Sequence, residues 1–234
     1  MSATTIRLYE LAGVEDELRF SPYCWRVRLA LLHKGQPFET VPWRFTEKDA
    51  IAFSGQSKVP VIVDGDRVVY DSWAIAEYLE DTYANCPSLF GGPSGKALSR
   101  FVTDWVETVL HPGILRLILV DVHAHLHQKD KDYFRRTREE RFGMSLKDLC
   151  ADREERIVSF RNDLTPLRHT LQRQPFLAGQ EPAWADYVTF SAFQWARCVS
   201  PFPLLVSDDI VYAWRERMLD AFNGEGRKAK GYSY

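Results

Sequence analysis

The apolar positions of this chain change their period part-way along. Up to about residue 85, short apolar runs alternate with amphipathic stretches; beyond about residue 95 the apolar residues recur at helical spacing. Ile6 to Leu11 reads as a strand. Pro22 to Lys34 reads as a helix, with Trp25, Leu29 and Leu32 in phase and Gly35 as its C′ residue. Phe38 to Val41 reads as a second strand, and the polar, mixed stretch Arg44 to Ser57 as a weak helix or a mobile loop. Lys58 to Tyr70 holds two apolar runs about an Asp64-Gly65 turn, the signature of a hairpin. Asp71 to Leu79 then opens a third helix, with Ser72 as its cap and Ile75, Tyr78 and Leu79 on one face. Strand and helix in alternation predict an α/β unit.

Asn85 to Gly95 is rich in Gly, Pro and Ser and reads as a linker. The expected division is therefore 1–84, a linker over 85–95, and an all-helical part over 96–234. Leu98, Phe101, Val102, Trp105 and Val109 form a helical stripe. Pro112-Gly113 predicts a kink or break, after which Ile114, Leu117, Ile118 and Val122 resume it. The dense mixed-charge run Lys129 to Arg141 reads as a solvated face or loop. Leu146 to Arg173 reads as helix broken at Pro166, Tyr187 to Val199 as a buried helix, Asp208 to Phe222 as the last long one, and Asn223 to Tyr234 as a polar tail over the surface.

Composition narrows the function classes. A net charge of -2 over 234 residues argues against a nucleic-acid partner. No run approaches the about 18 apolar residues that span a bilayer. Met1 to Thr5 has no charged-then-apolar export pattern. Cys24, Cys86, Cys150 and Cys198 are scattered, which points to a reducing cytosol. Among His123, His125 and His127 only the outer two share a helical face, and Asp121 is poorly phased to join them, so no metal is expected.

Three short stretches carry candidate chemistry. Ser21-Pro22 places a preferred N-cap before a proline suited to the first helical position. A hydroxyl there is either a plain cap or a donor to a bound thiolate, which the helix terminus also favours. Val59-Pro60 heads the hairpin; were the bond cis, Val59 would offer its backbone to a short peptide as an added strand. Asp71-Ser72 combines helix N–H groups that suit a carboxylate with an acid that suits an ammonium, as an amino-acid head group requires. Cys24, one turn into the first helix, is the rival nucleophile, without a partner cysteine at position 21.

The order and spacing of these stretches resemble the thioredoxin-like domain of glutathione S-transferases. Ser21-Pro22-Tyr23-Cys24 resembles the glutaredoxin Cys-Pro-Tyr-Cys motif with Ser in place of its first Cys, and Trp25-Arg26-Val27-Arg28 is similar to a run of zeta-class transferases. The Ser-Pro-Tyr-x-Trp-Arg run, with Val-Pro-Val-Ile-Val-Asp and Asp-Ser-Trp-x-Ile-Ala-Glu-Tyr-Leu after it, most resembles the bacterial stereospecific lignin β-etherases. The likeness extends more weakly through Asp132-Tyr133, Arg153 to Arg156 and Asp186-Tyr187. It departs at Ala183, where the family caps its core helix with a hydroxyl or amide; the capping box keeps Asp186 and loses its other half, at about 1 kcal/mol. That branch often carries a longer C-terminal extension, and no substrate contact from such a segment is expected here.

The resemblance implies a thioredoxin-like βαβαββα domain followed by an all-α domain. It implies Ser21 as the catalytic hydroxyl, Val59 before a cis Pro60 pairing with the cysteinyl backbone of glutathione, Asp71 and Ser72 on the γ-glutamyl end, and Lys58 on the glycyl carboxylate. The co-substrate is then glutathione, with no metal, and a homodimer is expected. The second partner is a small aromatic electrophile, held between the domains by Phe20, Tyr23, Trp105, Val109 and Leu115. A free thiol has a pKa near 8.5, so lowering it by about two units takes ~2.7 kcal/mol. A hydrogen bond to the anion supplies ~1.5–3 and the helix terminus ~0.3–1 kcal/mol. The thiolate displaces a leaving group or adds to a double bond; in the etherase reading it displaces an aryloxy group beside a ketone. The alternatives are a zeta-like isomerase, in which glutathione adds and leaves again, and a non-catalytic ligand carrier.

Overall fold

The computed structural model describes residues 5–233. Met1 to Thr4, most of the stretch read for an export signal, and Tyr234 lie outside the described residues. The first half is built on β1 (Ile6–Leu11), which lies inside a four-stranded sheet of order β2-β1-β3-β4. It runs parallel to β2 (Phe38–Trp43), with Ile6 opposite Phe38 and Leu11 opposite Trp43. It runs antiparallel to β3 (Val61–Asp64), which pairs in turn with β4 (Arg67–Tyr70). Helices α1 (Pro22–His33) and α2 (Ser72–Thr82) complete the unit.

The expected βαβαββα order holds, with its second helical member reduced to a 3-10 helix over Lys48–Ser54. The hairpin turns on Gly65 and Asp66, and Gly65 has the positive φ (57°) that a residue without a Cβ adopts readily. The Val59–Pro60 bond is cis.

The coil after α2 ends at Gly92, earlier than the linker reading. Pro93 takes the first position of α3 (Pro93–Trp105), where its missing N–H costs nothing. Of the kink or break expected at Pro112-Gly113, the break does not occur: helix continues through both residues. A π-turn segment, Val106–Leu110, carries the chain from α3 into α4 (His111–Ala124), and Pro112 falls in the first turn after it. Gly113 lets α4 approach its neighbour closely, since a Cβ there would meet Phe160 Cδ2 at 2.8 Å. The charged run read as a solvated face or loop is α5 (Gln128–Phe142), which closes on Gly143 in the left-handed conformation. The rest is α6 (Leu146–Leu149), α7 (Arg153–Asp163), α8 (Thr165–Leu171), α9 (Trp184–Val199) and α10 (Ile210–Lys228). The break near Pro166 falls at Leu164.

All sixteen residues of α9 are buried, and it packs against α1, joining the two halves. His33 Nδ1 meets Tyr187 Oη at 2.6 Å across that contact. The expected surface tail is instead clasped to α9. Positive φ at Phe222, Asn223 and Gly224 turns the chain back, so that Gln194 and Arg197 donate to Gly226 O and Arg197 O accepts from Tyr232 N at 2.8 Å. The tail's bonds to α9 are made by its backbone, while Arg227, Lys228 and Lys230 keep their side chains exposed. No helix is long and apolar enough to cross a membrane among the described residues.

Candidate active site

Ser21 is the N-cap of α1, and its Oγ accepts from Cys24 N at 3.3 Å. Its hydroxyl also stands within hydrogen-bonding reach of the Cys24 thiol, and turned toward the cavity the same proton would go to a ligand instead. Ser21 is buried and lines a cavity of about 830 Å³ between the sheet and helices α4 and α5. The cap reading and the donor reading are therefore compatible at one atom: it accepts from the helix and donates to a ligand.

Cys24 lies below Ser21 and is 1% exposed. Burial, reinforced by the charge of Glu10, pushes its thiol up to about 12 despite the Ser21 hydroxyl beside it. At neutral pH it is a protonated core residue.

The hairpin and the following turn bring Lys58, Val59, Pro60, Asp71 and Ser72 to the same cavity. The cap of α2 differs from the expectation. Asp71, at φ 68°, is the N-cap, and its Oδ1 accepts from Trp73 N and Ala74 N at 3.0 and 3.1 Å. Ser72 is the first helical residue; its Oγ accepts from Arg26 Nη1 at 3.4 Å. Asp71 Oδ2 has no protein donor among the described residues, so the carboxylate caps with one oxygen and keeps the other for a ligand.

The second wall is only partly the expected one. Phe20, Tyr23 and Leu115 line the cavity, whereas Trp105 and Val109 do not. Trp105 packs half-buried against the core and Val109 is 36% exposed. The π-turn segment inserts a residue into the helical period, so the face presented to the cavity is Glu107, His111 and Leu115. Of the apolar stripe of α3, Val102 and Trp105 pack against the core, whereas Leu98 and Phe101 are 68% and 70% exposed.

Several lining residues escaped the sequence reading. His111 is 7% exposed, stands edge-on to Tyr23 and Trp195, and has a buried Nε2 without a hydrogen-bond partner. Burial, followed by the nearby Arg26 charge, lowers its pKa to about 3, so the ring is neutral. Burial also raises the Tyr23 phenol. From α5 come Tyr133, Phe134, Arg138 and Arg141. Phe134, Arg138 and Arg141 follow helical spacing, a signal that the flanking charges hid. Among the described residues there is no group of three or more His, Cys, Asp or Glu able to hold a metal.

Residues 20–82 match the family described as glutathione S-transferase, N-terminal domain, and residues 97–203 match glutathione S-transferase, C-terminal domain. The chain belongs to the glutathione S-transferase superfamily. Glutathione S-transferase U2 of Arabidopsis thaliana is 34% identical over 102 residues, 42% of this chain and 45% of its own length. The chain spans about half the length of the curated relatives it matches. Among solved structures, glutathione transferase GSTFuA2 of Phanerochaete chrysosporium is 26% identical with a TM-score of 0.76, covering 97% of this chain and 95% of that one. CsGST83044 of Ceriporiopsis subvermispora, solved in complex with glutathione, shares the fold at a TM-score of 0.81 and 21% identity, covering 94% of this chain and 99% of that one. In this transferase fold the sheet half supplies Ser21, Lys58, Val59, Pro60, Asp71 and Ser72, and the helical half supplies the facing wall.

Proposed function

We propose that the protein activates the thiol of glutathione as a thiolate and directs it at an aromatic electrophile. One observation carries this reading: Ser21, Lys58, Val59, Pro60, Asp71 and Ser72, drawn from three separate stretches of chain, line one cavity. Residues 1–84 form the glutathione-binding domain and 96–234 the acceptor domain. Ser21 donates its proton to the sulfur and stays protonated itself. Val59 pairs with the cysteinyl backbone, Lys58 faces the glycyl carboxylate, and Asp71 Oδ2 and the Ser72 hydroxyl hold the γ-glutamyl end. The charge-assisted hydrogen bond and the helix terminus together match the ~2.7 kcal/mol needed to lower a thiol pKa by about two units.

The wall of Phe20, Tyr23, Leu115, Phe142 and Trp195 suits an aromatic ring. The finer reading is β-aryl ether cleavage. The thiolate attacks the carbon beside a ketone, the C–S bond forms, the C–O bond breaks, phenolate leaves with the pair, and the thiol proton goes to solvent. The exposed Leu98 and Phe101 of α3 support a homodimer, and four free cysteines suit a reducing cytosol.

Substitution separates the two nucleophile assignments. Ser21→Ala lowers kcat/KM with 1-chloro-2,4-dinitrobenzene and with an α-aryloxy ketone at least tenfold, and Cys24→Ser leaves both within twofold. The reverse pattern sinks the Ser21 assignment.

A further inference from the structure

The acceptor wall carries charge to which an apolar ring gives no role. Arg138 and Arg141 stand three residues apart on α5, on neighbouring positions of one face, and both line the cavity. The Arg138 guanidinium packs on one side of a pair of touching rings, 4.4 Å from the centre of Phe134 and 5.0 Å from that of Phe45, which are themselves 5.7 Å apart. Its Nη1 donates to Thr137 Oγ1 at 2.8 Å. Among the described residues no carboxylate lies within ion-pair distance of Arg138 or Arg141. Burial lowers the pKa of Arg138; the Tyr133 phenol opposes this, and Arg141, a second cation, adds to it.

Two arginines of α1 are, by contrast, paired with carboxylates: Arg26 with Glu107, and Arg28 with Glu10 and Glu225. A half-buried guanidinium without a counter-ion is costly unless an anion arrives to share it. The two rings and Thr137 hold the fork in place beforehand, which lowers the ordering cost of a bidentate carboxylate contact.

We infer that the second substrate is an aromatic electrophile bearing a carboxylate, which Arg138, seconded by Arg141, binds at the α5 wall of the cavity. This rests on the reading that Ser21 activates glutathione. The carboxylate is assigned to the electrophile and not to the glycyl end of glutathione because Lys58, next to Val59, serves that end from the sheet half. Arg138 and Arg141 belong to the opposite wall, with Leu115 and Phe142.

The test compares 4-chloro-3-nitrobenzoate with 4-chloro-3-nitrobenzamide, which share the reacting carbon and differ in charge. In both, the thiolate sulfur bonds to the carbon bearing chlorine, chloride leaves with the bonding pair, and the thiol proton passes to solvent. Each kcat/KM is divided by the uncatalysed rate constant with glutathione. The wild type prefers the benzoate at least fivefold. Arg138→Gln lowers the benzoate-to-amide ratio at least tenfold, Arg141→Gln lowers it less, and Arg138→Lys restores part of it. An unchanged ratio overturns the proposal, as does an effect of Arg138→Gln that falls on the KM for glutathione. If the wild type turns over neither compound, the transferase reading fails separately, and binding decides this one. Trp43 and Trp195 line the cavity, so quenching of tryptophan fluorescence reports occupancy. Tighter benzoate binding that Arg138→Gln abolishes supports the inference; equal binding of the two compounds overturns it.

Discussion

Arg26 of α1 and Glu107 of the π-turn segment are joined across the two halves of the fold, Nη1 to Oε1 at 2.9 Å. The Arg26 side chain is wholly buried, and that of Glu107 is 36% exposed. Arg26 Nε and Nη2 are buried without partners, so Glu107 and the Ser72 hydroxyl carry most of the compensation for this charge. Removing one member of a buried pair typically costs about 3–5 kcal/mol, and water reaching Glu107 brings the expectation to about 2–3. Glu107→Ala therefore destabilises the protein by that amount in urea unfolding. Glu107→Gln, which keeps an acceptor, costs about half as much. Equal, small effects from both would show that Arg26 is neutralised elsewhere.

His111 makes stability depend on pH. Its pKa in the fold is about 3, against 6.5 for the ordinary imidazole. Burial is the main cause, then the charge of Arg26. Because the folded value is depressed, the unfolded chain binds the proton first. The contribution is fully present above pH 6.5 and is lost as pH falls from there toward 3, at up to about 1.4 kcal/mol per pH unit. His111→Phe should flatten the fall in stability between pH 6.5 and 4 relative to the wild type, measured by urea midpoints in buffers of equal ionic strength. Parallel curves would mean that the ring is protonated in the fold.

Much of the sheet half was legible because its signals are local. Ser21-Pro22 is a cap whatever packs around it, the run about Gly65 specifies its hairpin, and the limits of β1 follow from its apolar residues alone. The misreadings arise where a distant element changes a local rule. The resemblance puts Trp105 and Val109 on the cavity, and the π-turn segment, which no local pattern announces, presents Glu107, His111 and Leu115 there instead. Glu10, a carboxylate inside the apolar run of β1, is 1% exposed, and Arg28 and Arg19 reach it from α1 and the loop before it. Arg138 was hidden in a mixed-charge run, and only the rings of Phe45 and Phe134 single it out. The clasped tail depends on Gln194 and Arg197, about thirty residues earlier, which no local pattern relates to Gly226.

The outward residues of α3 yield a prediction about assembly. Leu98 and Phe101 are large apolar side chains on one helix face, 68% and 70% exposed, with half-buried Val102 and Trp105 beside them. If the proposed homodimer uses this face, Phe101→Glu places a charge in an apolar contact. The sedimenting species should fall from twice the chain mass to the chain mass at micromolar concentration, with the far-ultraviolet circular dichroism unchanged. A variant that sediments like the wild type removes α3 from the interface.

The start of α9 offers a stabilising change and a lethal one at neighbouring positions. Asp186 Oδ1 accepts from Leu177 N at 2.7 Å and Trp214 Nε1 at 2.9 Å, and Oδ2 accepts from Ala178 N at 3.0 Å and Ala183 N at 3.3 Å. This buried carboxylate thus ties the Phe176–Gly179 turn and α10 to the core helix as well as supplying half a capping box. Asp186→Ala would orphan four donors at about 1–3 kcal/mol each, comparable with the whole stability of a typical domain, so the variant should not accumulate as folded protein. Ala183 has the extended backbone of an N-cap, φ -140° and ψ -162°, but no side-chain acceptor. Ala183→Ser supplies one for the backbone N–H groups of the first turn and should add about 1 kcal/mol, raising Tm by about 2–4 °C in calorimetry. No gain from the serine would mean that those N–H groups already have partners, and the missing half of the box would then carry no cost.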